Sequence, residues 1–272
     1  MTPHLFDHWD EVAERVAAAT AVRLFVDFDG TLVPLCETPD QVTLSEGTRR
    51  ALQELVRHRR VAATIISGRR RGDLVRYVGL PGLQYWGLHG WERRAGCSLP
   101  REAAITLSRA RDSLTSVLRD VPGVHIEDKG LAFSVHVRGA SRPAERRARE
   151  LLRHVLAREG VDMHVLPGKK AWDVLPRHIP GKGSVVRGAI QKLRGSFLPV
   201  YVGDDVGDEP AIVALEHGIT VHVGKARSTH ARYRLADPNE VRAFMERLEG
   251  ELRTSARARR SRVRHQASRG SG

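Results

Sequence analysis

The stretch that most constrains this chain is residues 23–32, RLFVDFDGTL. An apolar run that reads as a buried strand stops on two carboxylates, Asp27 and Asp29, and then on Gly30 and Thr31, which suit a tight turn. Carboxylates at the end of a buried strand have no packing use. The first can attack as a nucleophile while the second binds or donates a proton, and a cation would relieve the repulsion between like charges held so close. Alone, the same residues also fit an Asp-Gly turn between elements, so later strands have to decide.

Apolar residues at helical spacing (Leu5, Trp9, Val12, Val16, Ala19) lead into this strand. Pro34 and Pro39 then punctuate a loop, and residues 44–59 return to helical spacing with Ser45 placed to cap the start. A second buried strand, 61–66 (VAATII), also ends on polar chemistry: Ser67, Gly68 and Arg69. Two strands apolar throughout and joined by a helix mean a parallel pair, the unit of a doubly wound α/β sheet. Ligands of such sheets bind beyond the carboxyl ends of the strands, where Asp27, Asp29 and Ser67 all fall.

The rhythm changes after residues 85–92. A helical stretch (102–118), a hairpin (123–128 and 131–138) with one wet face, a helix (143–158) and two short strands (162–166, 171–175) predict an inserted α+β domain over 98–177. That leaves 1–97 and 178–252 as a discontinuous parallel-sheet core. There, Gly181, Lys182, Gly183 and Ser184 open a helix running to about 193, and 198–202 is a third buried strand. It ends on Asp204, Asp205, Asp208 and Glu209, a repulsive cluster unless a cation sits among them. A strand at 219–223, an edge segment at 233–235 and a helix over 238–252 close the core.

Among 272 residues, 45 Lys and Arg against 32 Asp and Glu give a net charge of +13. Seven Arg and no acid lie from Arg253 onward, so over half of the excess sits in a tail, 253–272, without apolar periodicity, which predicts disorder. Such a tail contacts polyanions weakly and in a salt-dependent way; it has no aromatic to stack on bases, so nucleic acid is not an expected partner. No apolar stretch approaches the ~20 residues needed to span a bilayer, and no signal-peptide layout opens the chain, so a cytoplasmic protein without a membrane partner is expected; the sequence does not set its oligomeric state, and a monomer is the default expectation. Cys36 and Cys97 make no disulfide framework, and the 13 His show no zinc-ligand spacing. The residues around Lys182 resemble the end of a nucleotide-binding P-loop, but a glycine separates Lys from Ser and the upstream glycine is misplaced.

Four stations therefore converge on one sheet edge: Asp27 with Asp29, Ser67, Lys182, and Asp204 with Asp208. A phosphomonoester dianion repels an attacking carboxylate, so a site that hydrolyses one has to supply positive charge. Mg²⁺, which takes oxygen ligands, would be held by Asp27, the Asp29 backbone carbonyl and Asp204, with Asp208 ordering its waters. Lys182, the Ser67 hydroxyl and backbone N–H groups of the turn through Gly30 would cradle the phosphoryl oxygens. Asp27 would attack phosphorus to give an aspartyl-phosphate. Asp29 would protonate the leaving oxygen and then deprotonate the hydrolytic water.

These four stations resemble the four motifs of the haloacid dehalogenase superfamily of phosphotransferases, and the resemblance extends to the trehalose-6-phosphate phosphatases. It rests on His89-Gly-Trp-Glu92, on Glu127, Lys129, His136 and Arg138, on Gly168, Lys169, Lys170 and Asp173, and on 203–209 (GDDVGDE). It covers about residues 20–250 and implies a Rossmann-like core with an inserted cap that holds the distal sugar. Arg69, His89, Glu92, Lys129, His136, Arg138, Lys169 and Asp173 become expected substrate contacts by position. Asp173 stands where the family usually has Glu, Leu175 where it has Arg, and Gly207 where it has Thr, so the motifs specify the chemistry more tightly than the sugar. A different sugar phosphate (sucrose, glucosylglycerol or mannosylglycerate type), a non-catalytic sugar-phosphate sensor, and a polyanion binder acting through the tail are the competing readings.

Overall fold

A computed structural model describes residues 2–36, 41–159, 162–192, 195–225 and 228–269, the stretch 257–269 as backbone only. Pro39 and the expected helix end near 193 lie outside the described residues. After a short 3₁₀ turn, α1 (Trp9–Ala18) leads into β1 (Val22–Val26), α2 (Glu46–Arg57) and β2 (Val61–Ile66). Ser45 caps α2 by accepting from the Thr48 N–H at 3.1 Å, satisfying a donor that the first helical turn leaves without an intrahelical partner. Two elements that the sequence pattern did not mark follow, α3 (Arg71–Tyr77) and β3 (Gln84–Trp86). Both are too short to show a period.

Residues 101–176 build a second sheet: α4 (Arg101–Leu118), β4 (His125–Asp128), β5 (Phe133–His136), α5 (Arg142–Arg158), β6 (Met163–Gly168) and β7 (Ala171–Pro176). Its four strands are antiparallel in the order β4-β5-β7-β6. The chain then returns through α6 (Lys182–Gln191), β8 (Leu198–Gly203), α7 (Glu209–Ala214), β9 (Ile219–Val223), β10 (Tyr233–Leu235) and α8 (Pro238–Arg269). The last helix corrects an expectation. Instead of ending at Leu252 before a disordered tail, its backbone continues to Arg269, through a stretch of Ala and Arg, both good helix formers.

The larger sheet is parallel throughout, in the order β10-β9-β8-β1-β2-β3. Strand order reverses at β1: β2 and β3 lie on one side of it, β8, β9 and β10 on the other. Side chains alternate across β1, with Leu24 and Val26 in one apolar cluster and Phe25 with Tyr201 and Ile66 in another, so helices cover both faces. The second sheet carries its own cluster, including Leu114, Phe133, Leu152 and Val174. Asp27 thus sits beyond the end of the strand where the topology switches, the place where an open α/β sheet leaves a crevice. Among the described residues no helix is long and apolar enough to cross a membrane.

Candidate active site

Asp27 follows β1 directly, and its backbone N–H still donates to Val202 of β8 at 2.9 Å, which fixes its carboxylate over the sheet edge. It is 5% exposed. Gly30 adopts φ +78°, and any Cβ there would overlap the Asp204 carboxylate, so only glycine lets the turn approach that side chain. Ser67 ends β2 in the same way, its N–H donating to Trp86 of β3 at 3.1 Å. Lys182 opens α6 and is also buried. Its Nζ donates to Asp27 Oδ1 at 2.6 Å and to Asp208 Oδ1 at 2.7 Å. The glycine that spoiled the P-loop pattern has a packing reason: a Cβ on Gly183 would overlap the backbone of Pro210 in α7.

Asp208 is fully buried. Besides Lys182, it accepts from the Tyr201 hydroxyl at 2.6 Å and from the N–H groups of Asp204 and Asp205, both at 3.1 Å. A carboxylate has about four lone-pair sites, and all are used here, so Asp208 anchors the lysine and the loop after β8. Its oxygens stay beside those of Asp27 and Asp204, the neighbourhood expected of it from sequence.

Burial pushes the Asp27 carboxyl well above its usual range; Lys182 opposes this, while Asp208 and Asp204 add to it. Burial and the neighbouring Asp208 push Asp204 up to about 7, against the pull of Lys169. Lys182 is raised too: burial alone would lower it, but Asp208 and Asp27 outweigh that and hold it charged. Oxygens of Asp27, Asp204 and Asp208 lie within 4.8 Å of one another. Two carboxylates driven toward protonation, with hard oxygen donors facing each other, fit a small divalent cation such as Mg²⁺.

Asp29 turns away from this cluster. Arg69 grips it with two bonds, Nε to Oδ2 and Nη2 to Oδ1, both 2.7 Å. The guanidinium in turn lies over the rings of Phe28 and Tyr77, at 5.6 and 5.3 Å. Arg69, expected to contact substrate, is therefore engaged with the Asp29 carboxylate here.

The second sheet supplies the facing wall. Asp173 on β7 bonds His89 Nε2 at 2.6 Å, Lys129 Nζ at 3.0 Å and the Ser134 hydroxyl. Burial alone would raise its carboxyl, but Lys129, His89 and Ser134 together hold it well below the usual carboxylate range. Lys129 also reaches the Gly68 carbonyl at 3.1 Å. His89 and Leu88 both sit in the left-handed region, φ +58° and +47°, a strained pair held by N–H bonds of 2.8 Å from His89 to Ser67 and from Leu88 to Arg69. His136 pairs with Glu127 at 2.8 Å and stacks on His125, ring centroids 4.6 Å apart. Arg138 donates to the Cys36 carbonyl across the cleft. In the β6–β7 turn, Lys169 Nζ lies 2.6 Å from Asp204 Oδ2 and its N–H 2.6 Å from Asp205 Oδ2.

Between the two sheets lies a cleft of about 180 Å³, and all the residues singled out in sequence line it except Gly30, Glu92 and Asp208. Gly30 lies behind Asp204. Glu92 accepts two bonds from Arg70, at 2.9 and 3.0 Å, and one from the Arg71 N–H at 2.7 Å, which ties α3 to the segment after β3 outside the cleft lining. Sequence reasoning assigned no role to His125, Glu127, Ser134 or Tyr201, and did not foresee that Asp205 anchors the β6–β7 turn. The first three were accessible from the period of two, since 125, 127 and 129 share one strand face and 134, 136 and 138 another.

A family model described as trehalose-phosphatase matches residues 25–239. A trehalose 6-phosphate phosphatase of Zea mays is 31% identical over 258 residues, 85% of this chain and 71% of that protein. The trehalose-phosphate phosphatase of Mycobacterium ulcerans is 33% identical over 246 residues, but this chain matches 62% of its length. The C-terminal domain of the Candida albicans trehalose-6-phosphate phosphatase superposes with a TM-score of 0.78 at 22% identity, over 92% of this chain and 98% of that one. A haloacid dehalogenase-like hydrolase from Bacteroides thetaiotaomicron shares the fold at a TM-score of 0.56 and 14% identity, over 84% of this chain and 99% of that one. With the four stations gathered at one sheet edge, this chain belongs to the trehalose-phosphatase family and has the fold of the haloacid dehalogenase-like phosphatases.

Proposed function

We propose that this chain hydrolyses trehalose 6-phosphate to trehalose and phosphate through an aspartyl-phosphate on Asp27. The observation that carries the reading is the buried Lys182 ammonium shared between Asp27 and Asp208, which places a fixed positive charge beside the attacking oxygen. Asp27 attacks phosphorus and the bond to the sugar oxygen breaks; Asp29 delivers a proton to that oxygen. Asp29 then takes a proton from water as it attacks the acyl phosphate, which frees phosphate and restores Asp27. Arg69 fixes the orientation of Asp29 for both transfers. Asp27, Asp204 and the Asp29 carbonyl would hold Mg²⁺, which when bound neutralises charge on the phosphoryl oxygens. The second sheet acts as a lid over the site, and Lys129, His136 and Asp173 present its polar face to the sugar.

Phosphate release from trehalose 6-phosphate, sucrose 6-phosphate, glucosylglycerol phosphate, mannosylglycerate phosphate and glucose 6-phosphate, each with Mg²⁺ and with EDTA, tests this reading. Trehalose 6-phosphate should turn over at least tenfold faster than the others, and only with the metal. Turnover no faster than that of glucose 6-phosphate would remove the substrate assignment.

A further inference from the structure

Position in the family pattern makes Lys169 a sugar contact, but its ammonium is at the other end of the cleft. It is 2.6 Å from Asp204 Oδ2, and Asp204 is 3% exposed. The turn that carries it is docked by a second, independent bond, from the Lys169 N–H to Asp205 Oδ2 at 2.6 Å. Lys170, at φ +62°, closes this tight turn. The buried ammonium of the core, Lys182, serves Asp27 and Asp208. Two lysines, one at the start of α6 and one in the β6–β7 turn, therefore neutralise different carboxylates of one cluster, while the sugar-facing groups Asp173, Lys129 and Ser134 bond among themselves.

Asp204 is also a carboxylate that the proposed reading gives to the divalent cation, so Lys169 and that cation compete for the same oxygen. Once Asp204 is engaged by the cation, like charge drives the ammonium off it. The backbone bond to Asp205 still holds the turn over the site. The neighbouring Asp205 carboxylate already accepts from the Lys169 and Val206 N–H groups, so a phosphoryl group above Asp27 and Ser67, in the cleft that Lys169 also lines, is the anion then open to the ammonium. We propose that Lys169 is a phosphoryl-binding residue delivered by the second sheet, parked on Asp204 when the site holds neither metal nor phosphate. The inference rests on the phosphatase reading above. It makes full phosphoryl binding conditional on the second sheet being docked, because one of the two ammonium groups arrives with it.

Calorimetric titration of Lys169→Met, Lys169→Arg and the unmodified chain tests this. Lys169 is exposed on its turn, and the docking bond uses backbone, so both variants keep that anchor. With Mg²⁺ alone and no substrate, Lys169→Met should bind the metal several-fold more tightly, because the competing ammonium is gone. Inorganic phosphate added to the Mg²⁺-loaded protein should bind about tenfold more weakly to Lys169→Met, the weight of one charge-assisted hydrogen bond, and Lys169→Arg should recover most of that loss. Affinity for trehalose should stay within about twofold. Unchanged phosphate affinity, a loss that falls on trehalose instead, or Mg²⁺ binding that stays equal or weakens would each overturn the proposal. The Mg²⁺ and phosphate titrations use no sugar phosphate, so they decide the role of Lys169 even if trehalose 6-phosphate proves not to be the substrate.

Discussion

Asp27 and Asp29 stand two residues apart and live in different surroundings. Asp27 is enclosed with Lys182 and two other carboxylates, whereas the Asp29 side chain keeps 31% of its surface and is oriented by Arg69. The enclosed one suits attack on phosphorus, and the more open one suits exchange of protons with a sugar oxygen and with water. Asp27→Asn should therefore lower turnover on the order of 10⁴-fold or more while inorganic phosphate still binds measurably; activity within tenfold of the parent would exclude Asp27 as nucleophile. Glu92 gives the contrasting case. Its carboxylate, 4% exposed, is consumed by Arg70 and the Arg71 N–H. Glu92→Gln should destabilise the fold by about 1–3 kcal/mol in denaturant unfolding and leave the KM for substrate nearly unchanged. A large rise in KM at unchanged stability would restore Glu92 as a substrate contact.

Among the elements, the packing of α6 on α7 decides where Lys182 points. Gly183 lets the first turn of α6 rest on the Pro210 backbone, where even a methyl group would collide. Gly183→Ala should cost about 1–3 kcal/mol of stability, the usual penalty for overpacking, and should weaken phosphate binding as well, because Lys182 moves with its helix. A stable variant with parental phosphate affinity would show that the contact is not tight. This glycine was visible in sequence but not its reason, since Pro210 is far along the chain. The strands that end on Asp27, Ser67 and Asp204 were legible because buried parallel strands are apolar throughout and then stop on residues with no packing use. The second sheet was legible from alternation in β5. What stayed hidden was short or long-range: β3 has too few residues for a period, and the Arg69–Asp29 pair joins two loops. The partners of Glu92 were hidden because family position indicates which residue types recur and not which neighbour takes the carboxylate. The helix beyond Leu252 was missed because its sequence carries no apolar stripe, while Ala and Arg favour a helix by propensity alone.

At the scale of the molecule, the carboxylate cluster links metal, proton and stability. Asp204 is pushed up to about 7 by burial and by Asp208, and Asp27 is raised as well. A folded-state value above the unfolded one means that the native state binds more protons than the unfolded chain in between, so this contribution is present at low pH and lost as pH rises toward 7. His58, His125, His164 and His222 act with the opposite sign. Burial lowers each of them, so they weaken the fold as pH falls through the ordinary imidazole range. A plain stability profile therefore mixes two opposing trends. The increment produced by Mg²⁺ largely separates them, because His58, His125 and His164 do not interact with the carboxylate cluster and cancel in the difference, leaving only His222, which feels Lys169, Asp208 and Asp205, to contribute. The cation takes the place of the proton on Asp204, so its stabilisation should grow as pH rises through about 7. At a concentration near 100 times its Kd it should reach about 2.7 kcal/mol at pH 8. For a chain of this size that is a rise in Tm on the order of 5–10 °C, shrinking markedly at pH 6. Thermal unfolding at both pH values, with Mg²⁺ and with EDTA, measures it; an increment at pH 6 equal to or larger than that at pH 8 would mean that Asp204 is not where the cation and the proton compete.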